Sequence, residues 1–256
     1  METIKTVQYF GFTDIGLKRK KNEDAYVIND EITGDAPKDK KLWIFAVADG
    51  IGGHSCGDRA STMACRELKR FLYRSFPGPD AKSYVKQLDN RIHDIDRFIR
   101  RAGSRHLECE HMGTTLSVML LVENFGIMAH VGDSRIYRLR SGCLSQLTSD
   151  HTFVQEMIDE GEIPTEAAAT HPLRNVLTRA VGTQVPLEQV ETRILDVAVG
   201  DRFLISSDGL HKMVSANEIA DTLSNSENPE QAAAKLLRLA LSNGGEDNIT
   251  GVIIHI

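Results

Sequence analysis

Short runs of β-branched, aliphatic and aromatic residues open the chain, and each has the length of a single strand. They predict strands at Ile4 to Phe12, Ala25 to Ile28 and Leu42 to Ala48. The turn-forming run Gly34-Asp35-Ala36-Pro37 separates the last two, as in a long hairpin loop. The amino-terminal part is therefore predicted to be antiparallel sheet.

A helical pattern comes next, and strands return after Gly113. Apolar residues recur every three or four positions from Ser55 to Phe76 and from Val85 to Ile99, on either side of Pro77-Gly78-Pro79. We interpret these segments as two amphipathic helices. A second meander is predicted beyond them, with strands at Thr115 to Val122, Gly126 to Val131, Arg135 to Leu139 and Leu144 to Leu147.

The pattern is mixed in residues 151–182, which we interpret as an inserted helical or loop-rich flap. Regular periods then resume and predict strands at Val190 to Leu195, Arg202 to Ser206 and Ile249 to Ile256, and helices at Ala216 to Leu223 and Pro229 to Ser242. Two strand groups covered by helices indicate one domain over residues 1–256, a sandwich with largely antiparallel sheets.

Composition narrows the class of protein. The chain has 256 residues, 41% of them apolar, which is enough for a sizeable core. A net charge of −6 disfavours binding to nucleic acids or anionic membranes. Four scattered cysteines are too few for a disulfide framework, so we expect reduced thiols. The amino terminus lacks an apolar core of signal-peptide length, and we expect a soluble cytoplasmic protein without membrane insertion.

The acids are placed unevenly. Asp49, Asp133 and Asp208 each end an apolar run, and Asp247 stands just before the last strand. Any one of them would be a hairpin turn more often than a ligand. Four at strand margins indicate a shared site, which needs a cation because neighbouring carboxylates cannot all stay ionised. Carboxylate oxygens suit Mg²⁺ or Mn²⁺. The zinc-type group His106, Cys109 and His111 has no standard zinc spacing, and we read it as a polar loop.

Six short motifs occur in a fixed order between residues 13 and 250. They are Thr13-Asp14-Ile15-Gly16-Leu17-Lys18-Arg19-Lys20-Lys21-Asn22-Glu23-Asp24, Val47-Ala48-Asp49-Gly50-Ile51-Gly52-Gly53-His54, Met112-Gly113-Thr114-Thr115, Val131-Gly132-Asp133-Ser134-Arg135, Ser206-Ser207-Asp208-Gly209-Leu210 and Gly245-Glu246-Asp247-Asn248-Ile249-Thr250. Each motif alone is weak, but the ordered set is very specific. The chain resembles the metal-dependent type 2C Ser/Thr protein phosphatases, in their bacterial branch.

The resemblance implies an α+β fold, a four-layer α-β-β-α sandwich of two mainly antiparallel sheets, with metals at one end. It implies two Mn²⁺ or Mg²⁺ ions and a third, weaker one. Asp49 would bridge the two ions, with the Gly50 carbonyl on one and Asp208 and Asp247 on the other. Asp133 would hold the third ion together with Asp208. A water or hydroxide bridging the metals would attack the phosphate.

The resemblance also implies supporting roles for residues around the metals. Glu23, Asp24 and Asn248 would lie behind the ions. Arg19 would grip the substrate phosphate, because a guanidinium matches two phosphate oxygens. On composition alone Arg19 would be one more solvated residue of the basic run 18–21, but its offset of four from Glu23 in the motif favours the phosphate role.

One departure from the family pattern concerns the general acid. Many eukaryotic members have a histidine directly after the Asp-Gly pair, where this chain has Ile51. His54 is our candidate for protonating the leaving group, and His151 is the alternative; each is explained equally well as a structural histidine. The resemblance places the flap, residues 151–182, beside the metal centre, where we expect it to influence phosphopeptide choice.

We therefore expect a phosphatase acting on phosphoserine and phosphothreonine in proteins, the counterpart of a Ser/Thr protein kinase. One alternative is a phosphoesterase for small metabolites with the same metal centre. The other is a regulatory family member without catalysis, which the complete set of acids disfavours.

Overall fold

The computed structural model describes residues 4, 6–29, 42–52, 56–72, 80–122 and 125–256. The predicted turn at residues 34–37 and the Pro77-Gly78-Pro79 break lie outside these ranges. Eleven strands of the described part form two antiparallel sheets.

The first sheet, here sheet I, has the strand order β2-β3-β5-β6-β9, with the short β4 paired to β3. Its strands are β2 (Asp24–Asn29), β3 (Leu42–Ile51), β4 (Gly113–Thr114), β5 (Leu116–Val122), β6 (Phe125–Val131) and β9 (Glu191–Asp196). Sheet II has the order β1-β11-β10-β7-β8. Its strands are β1 (Gln8–Asp14), β7 (Arg135–Arg140), β8 (Cys143–Gln146), β10 (Arg202–Ser206) and β11 (Ile249–His255).

The helices fall into two pairs and two short elements. The long pair is α1 (Gly57–Leu72) and α2 (Ala81–Gly103), and the second pair is α5 (Ala216–Asn225) and α6 (Pro229–Ser242). The short helices are α3 (Phe153–Asp159) and α4 (Asp208–His211), and 3₁₀ turns occupy Leu107–Cys109 and Thr165–Thr170. Proline at the first position of α6 and the Asn228 cap before it explain why this helix begins where the sequence predicts.

Strand β3 shows why the sheets stack. Its side chains alternate between two separate cores: Ile44 and Ala46 pack against α1 and α2, and Phe45 and Val47 pack against sheet II. A strand that is covered on both faces has a continuous run of apolar residues in its sequence, as β3 does. Sheet II is covered in turn by α5 and α6, through residues such as Leu204 and Leu236. The predicted four-layer α-β-β-α sandwich is confirmed.

One prediction about strand pairing is wrong. The strands after Gly113 do not form one meander, because β5 and β6 belong to sheet I, and β7 and β8 belong to sheet II. The chain changes sheet at Gly132, whose φ of 110° suits glycine, and where a Cβ would lie 2.6 Å from Thr115. Strands β2 and β3 pair antiparallel as the predicted hairpin implies, and β1 belongs to the other sheet.

The ends of these strands gather at one end of the sandwich. Asp24 is opposite Asp49 in sheet I. In sheet II, Asp14 is opposite Ile249 and Ser206 is opposite Arg135. The loops that follow β6, β10 and β1 and precede β11 therefore start from the same end. These loops carry the conspicuous acids of the sequence.

The cysteines differ from expectation. Cys56 and Cys109 form a disulfide with a Cα–Cα distance of 5.4 Å across a sequence separation of 53, so the prediction of four reduced thiols is wrong for this pair. The packing of α1, α2 and the 3₁₀ turn at Leu107–Cys109 brings the two residues together, which spacing alone does not indicate. Cys65 and Cys143 are free.

Among the described residues, none of the helices combines the length and the apolar composition that a membrane-spanning helix requires.

Candidate metal centre

Asp49 lies inside β3 rather than at its end, because β3 continues to Ile51 by pairing with β4. Its backbone is fixed on both sides: the Asp49 N–H donates to Thr115 Oγ1 at 2.9 Å, and its carbonyl accepts from Thr114 Oγ1 at 2.9 Å. The expectation that this carboxylate emerges where the strand ends is therefore wrong, and the position is more rigid than predicted.

Four other acids surround Asp49. Asp24 is its partner across the sheet, Asp133 follows β6, Asp208 is the first residue of α4, and Asp247 precedes β11. Each of the four raises the pKa of Asp49 through charge repulsion, so all five belong to one cluster. The structure thus brings together acids that are separated by up to 223 positions in the sequence, from Asp24 to Asp247 (247 − 24).

The cluster has the electrostatics of a cation site. Burial and then the neighbouring carboxylates hold the pKa of Asp49 well above its usual range. Burial is also the main cause that raises the pKa of Asp24 to about 7 and that of Asp133 to about 7, with Asp208 adding repulsion in both cases. Ionising all of them together is costly unless positive charge is placed among them.

Two carboxylate oxygens at the centre have no hydrogen-bond partner: Asp24 Oδ1 and Asp208 Oδ1 are both buried and unpaired. Buried polar atoms are otherwise almost always satisfied. A hard divalent cation would supply the missing partner, either directly or through its water ligands. The residues present therefore fit Mg²⁺ or Mn²⁺, and Asp49, Asp208, Asp247 and the Gly50 carbonyl are the donors that would hold it.

Close backbone contacts hold Gly50 beside the helix. A Cβ on Gly50 would stand 2.2 Å from the Gly57 carbonyl oxygen, and one on Gly57 would stand 3.0 Å from the carboxyl carbon of Glu23. The Gly50 N–H donates to the Glu23 carbonyl at 3.1 Å. Only glycine allows β3, the start of α1 and Glu23 to approach this closely.

Asn248 organises the loop that carries Arg19. Its Oδ1 accepts from the Glu23 N–H at 2.8 Å, and its Nδ2 donates to the carbonyls of Ile15 and Lys21 at 2.9 and 3.0 Å. The side chain is buried, so these bonds are not exchanged with water. Asn248 therefore ties loop 15–23 to the start of β11 and fixes Glu23 beside the acids.

Arg19 lies at the mouth of the cluster. Its Nη2 donates to Asp247 Oδ2 at 2.6 Å, and about half of its side chain is exposed, 52%. The guanidinium thus stands next to a predicted metal ligand with other N–H groups directed away from that bond. The half-exposed guanidinium is therefore accessible to an anion from solvent.

Sequence reasoning missed three residues that shape the site. Ser207 donates to Asp24 Oδ2 at 2.7 Å, Thr115 holds the backbone of Asp49, and Lys212 donates to Asp208 Oδ2 at 2.6 Å. Ser207 and Thr115 each lie inside one of the six motifs, so their position in a motif could have marked them as site residues. Lys212 is outside every motif and becomes visible only because α4 places it one turn after Asp208.

The two histidines considered as general acid, His54 and His151, have different outcomes. His54 lies outside the described residues, so its role as general acid stays a prediction. His151 is buried, and its Nδ1 accepts from the Gly132 N–H at 3.1 Å. Burial and the adjacent His130 lower the pKa of His151 to about 3. This fits a neutral structural histidine better than a proton donor.

A second group of potential metal ligands is formed by His130, His151 and Glu191, whose ligand atoms lie within 4.8 Å of one another. Both ring nitrogens of His130 already have partners, Ser117 Oγ at 2.8 Å and the Ser149 carbonyl at 3.1 Å. We therefore regard this group as a hydrogen-bonded core network. The zinc-type group of the sequence is also explained, because the Cys109 sulfur is in the disulfide.

A four-layer sandwich with carboxylates crowded at one end, and an arginine at their edge, defines a metal-dependent hydrolase acting on an anionic substrate. Comparison with known proteins then specifies the family. The model of the protein phosphatase 2C family matches residues 21–242. The chain therefore belongs to the protein phosphatase 2C family and is a metal-dependent Ser/Thr protein phosphatase of the bacterial type.

Individual relatives agree with this assignment. The serine/threonine phosphatase stp of Listeria welshimeri is 36% identical over 243 residues, covering 95% of this chain and 93% of the relative. The crystal structure of Stp1 from Staphylococcus aureus has a TM-score of 0.90 at 34% identity and covers 100% and 97% of the two chains. The catalytic domain of PstP, solved in complex with 2 manganese ions, has a TM-score of 0.82 at 32% identity, with 97% of each chain covered.

Proposed function

We propose that this chain hydrolyses phosphoserine and phosphothreonine in proteins at a two-cation centre held by Asp49, the Gly50 carbonyl, Asp208 and Asp247. The observation that carries the proposal is the pair of buried, unpaired carboxylate oxygens on Asp24 and Asp208 within the five-acid cluster. When bound, the two ions supply a water activated at neutral pH and positive charge against the phosphoryl oxygens.

The protein's own groups account for binding and orientation. Arg19 receives the phosphate dianion at the mouth of the site, where its planar fork pairs with two oxygens. The rigid backbone of Asp49, bonded to Thr114 and Thr115, keeps the central carboxylate in place. Asp24 and Glu23 stand behind it, positioned by Ser207 and Asn248. Such fixed geometry is what allows a site to act without reorganising.

We further infer that residues 1–256 form one catalytic domain with residues 151–182 as its flap. In support, β3 contributes side chains to the cores on both of its faces, so the layers cannot separate without exposing it. The flap is anchored at both ends: the His151 N–H donates to the Gly132 carbonyl at 2.8 Å, and Val181 bridges to Thr114. Leu173 and Val176 of the flap are exposed near this end of the sandwich, where a phosphopeptide would lie.

The physiological partners are phosphoproteins, and we propose a Ser/Thr kinase as the opposing enzyme. Support comes from the two relatives whose names state Ser/Thr phosphatase activity. Manganese is the ion bound in the PstP structure, which favours Mn²⁺ over Mg²⁺ for assays of this chain. The cytoplasmic location and the role of His54 stay predictions.

Alanine substitution at Asp208 or at Asp247 tests the proposal. We expect either variant to lose at least about a thousandfold in Mn²⁺-dependent kcat/KM on an aryl phosphate, because each removes a metal donor worth several kcal/mol of barrier. Both should retain the far-ultraviolet circular dichroism of the wild type. The matched control is Asp221→Ala, an exposed aspartate of α5, which should keep wild-type activity.

Near-normal turnover in Asp208→Ala or Asp247→Ala would refute the two-cation assignment. A panel of phosphothreonine peptides against nucleotides and sugar phosphates addresses the substrate class. Higher kcat/KM on the small metabolites would favour the alternative, a metabolite phosphoesterase.

A further inference from the structure

The ammonium group of Lys212 stands between two acids of the centre. Its Nζ is 2.6 Å from Asp208 Oδ2 and 3.9 Å from Asp133 Oδ2. The single turn of α4 explains the placement, since the Lys212 N–H bonds to the Asp208 carbonyl at 2.9 Å and residues i and i+4 share a helix face. The gap between Asp133 and Asp208 is also where the family resemblance implies a third, weaker metal ion.

The two oxygens of Asp208 have different surroundings. Oδ1 is buried and unpaired, and it is available to a cation held jointly with Asp49. Oδ2 accepts from Lys212, so a cation shared with Asp133 would have to displace the ammonium. Asp133 is almost fully buried, at 7% exposure, and no other cationic side chain among the described residues is paired with it. A cation placed between Asp133 and Asp208 would therefore compete with the ammonium of Lys212 for the same oxygens.

We propose that the ammonium of Lys212 takes the place of a third divalent cation between Asp133 and Asp208, and that it also fixes the flap through Asn175. This inference rests on the proposed two-cation centre. An ammonium has three N–H donors and no lone pair to share with a metal, so it can neutralise the gap but cannot bind an ion there. It carries one positive charge where a metal would bring two.

The contact with the flap uses a second donor of the same group. Lys212 Nζ donates to Asn175 Oδ1 at 2.9 Å, and Asn175 belongs to residues 151–182. The side chain of Lys212 is only about a third exposed, 37%, so its bonds are partly shielded from water. The flap is thereby held against the centre by a residue that also sets the number of ions.

Metal stoichiometry tests the first half of the proposal. Titration with Mn²⁺, followed by electron paramagnetic resonance of the free ion, should give two bound ions per wild-type chain and three in Lys212→Ala. The Lys212→Met variant, which keeps an apolar stem of similar length, should also bind three. The double variant Lys212→Ala/Asp133→Ala should return to two.

The controls are Lys212→Arg, which retains the cation, and Lys235→Ala, which removes an exposed lysine of α6. Both should bind two ions. Three ions in the wild type, or two in both Lys212→Ala and Lys212→Met, would overturn the inference. Fewer than two ions in the wild type is a separate outcome, which would overturn the proposed centre and this inference with it.

Hydrogen exchange tests the second half. Amides of residues 171–178 should exchange about fivefold to tenfold faster in Lys212→Ala and in Asn175→Ala than in the wild type, since each loses one charge-assisted hydrogen bond. Lys235→Ala should leave them unchanged. Unaltered exchange of this segment in Lys212→Ala would show that the ammonium does not hold the flap.

Discussion

Asp24 is the residue at which the cost of burying a carboxylate in the centre can be measured most directly. Its pKa in the folded chain is raised to about 7 from an ordinary value of 3.8, mainly by burial. The substitution Asp24→Asn removes the charge and keeps an oxygen that can accept from Ser207 Oγ, which bonds to the wild-type carboxylate at 2.7 Å. We expect this variant to be more stable than the wild type when no metal is present.

The direction follows from proton binding. Between pH 3.8 and about 7, the folded wild type holds a proton on Asp24 that the unfolded chain has already lost. The unfolding free energy therefore falls as the pH rises through this window. At 1.36 kcal/mol for each pKa unit, the upper limit of the cost above pH 7 is about 4 kcal/mol.

The expected gain in unfolding free energy for Asp24→Asn is smaller than this upper limit. Part of the cost is shared with Asp208 and Asp247, which remain in the variant and also raise the pKa of Asp24. We expect a gain of about 2 kcal/mol in unfolding free energy for Asp24→Asn at pH 8, or roughly 4 to 8 °C in Tm for a chain of this size. The gain should shrink to about 0.5 kcal/mol or less at pH 4, close to the ordinary pKa of 3.8, because the unfolded chain there also holds part of the proton.

Urea unfolding in EDTA at pH 4, 6 and 8 measures the difference between variant and wild type. The difference is the useful quantity because histidines with lowered pKa values, such as His130, add their own pH dependence to both proteins. Asp221→Asn, an exposed control, should stay within about 0.5 kcal/mol of the wild type. In saturating Mn²⁺ the advantage of Asp24→Asn should disappear, because the ions stabilise the wild-type cluster by binding only its folded form. A variant less stable than the wild type at pH 8 in EDTA would refute the reasoning.

Two further predictions concern Arg19 and the disulfide. Arg19→Ala should raise KM for a phosphopeptide about tenfold with a smaller change in kcat, since it loses a charge-assisted contact to phosphate. Arg19→Lys should recover only part of the lost affinity for the phosphopeptide. A change confined to the metal requirement would contradict the phosphate role. Cys56→Ser should lower the unfolding free energy by up to about 4 kcal/mol, because the Cys56–Cys109 pair closes a loop across a sequence separation of 53, with kcat unchanged. Dithiothreitol should destabilise the wild type and leave Cys56→Ser unaffected, and an equal response of the two proteins would argue against the bond.

The sequence predicted best where the signal is local. The bounds of β10 and α6 agree with the predicted segments, because a turn residue or Pro229 marks their ends. The motifs were local as well, and they were sufficient to identify the family. The five aspartates predicted for the centre lie in one cluster around Asp49 in the structure.

Predictions failed where an outcome depends on partners far away in the chain. The predicted end of β3, Ala48, is three residues before the observed end, Ile51, so Asp49 was placed outside the strand; the continuation depends on pairing with β4. The assumed meander divides between two sheets at Gly132, and periodicity is the same for either arrangement. The disulfide joins residues whose proximity depends on how α1 and α2 pack.

The sequence by itself therefore determined the elements, the family and which aspartates are candidates for the metal centre, because those depend on periodicity and on residue types within short motifs. Only the tertiary structure decided how the charges balance. It places Arg19 on Asp247 and Lys212 between Asp208 and Asp133, and leaves Asp208 Oδ1 without a partner. Electrostatic interactions act through space over a few ångströms, so the number of cations that the cluster holds depends on side-chain positions that chain order does not encode.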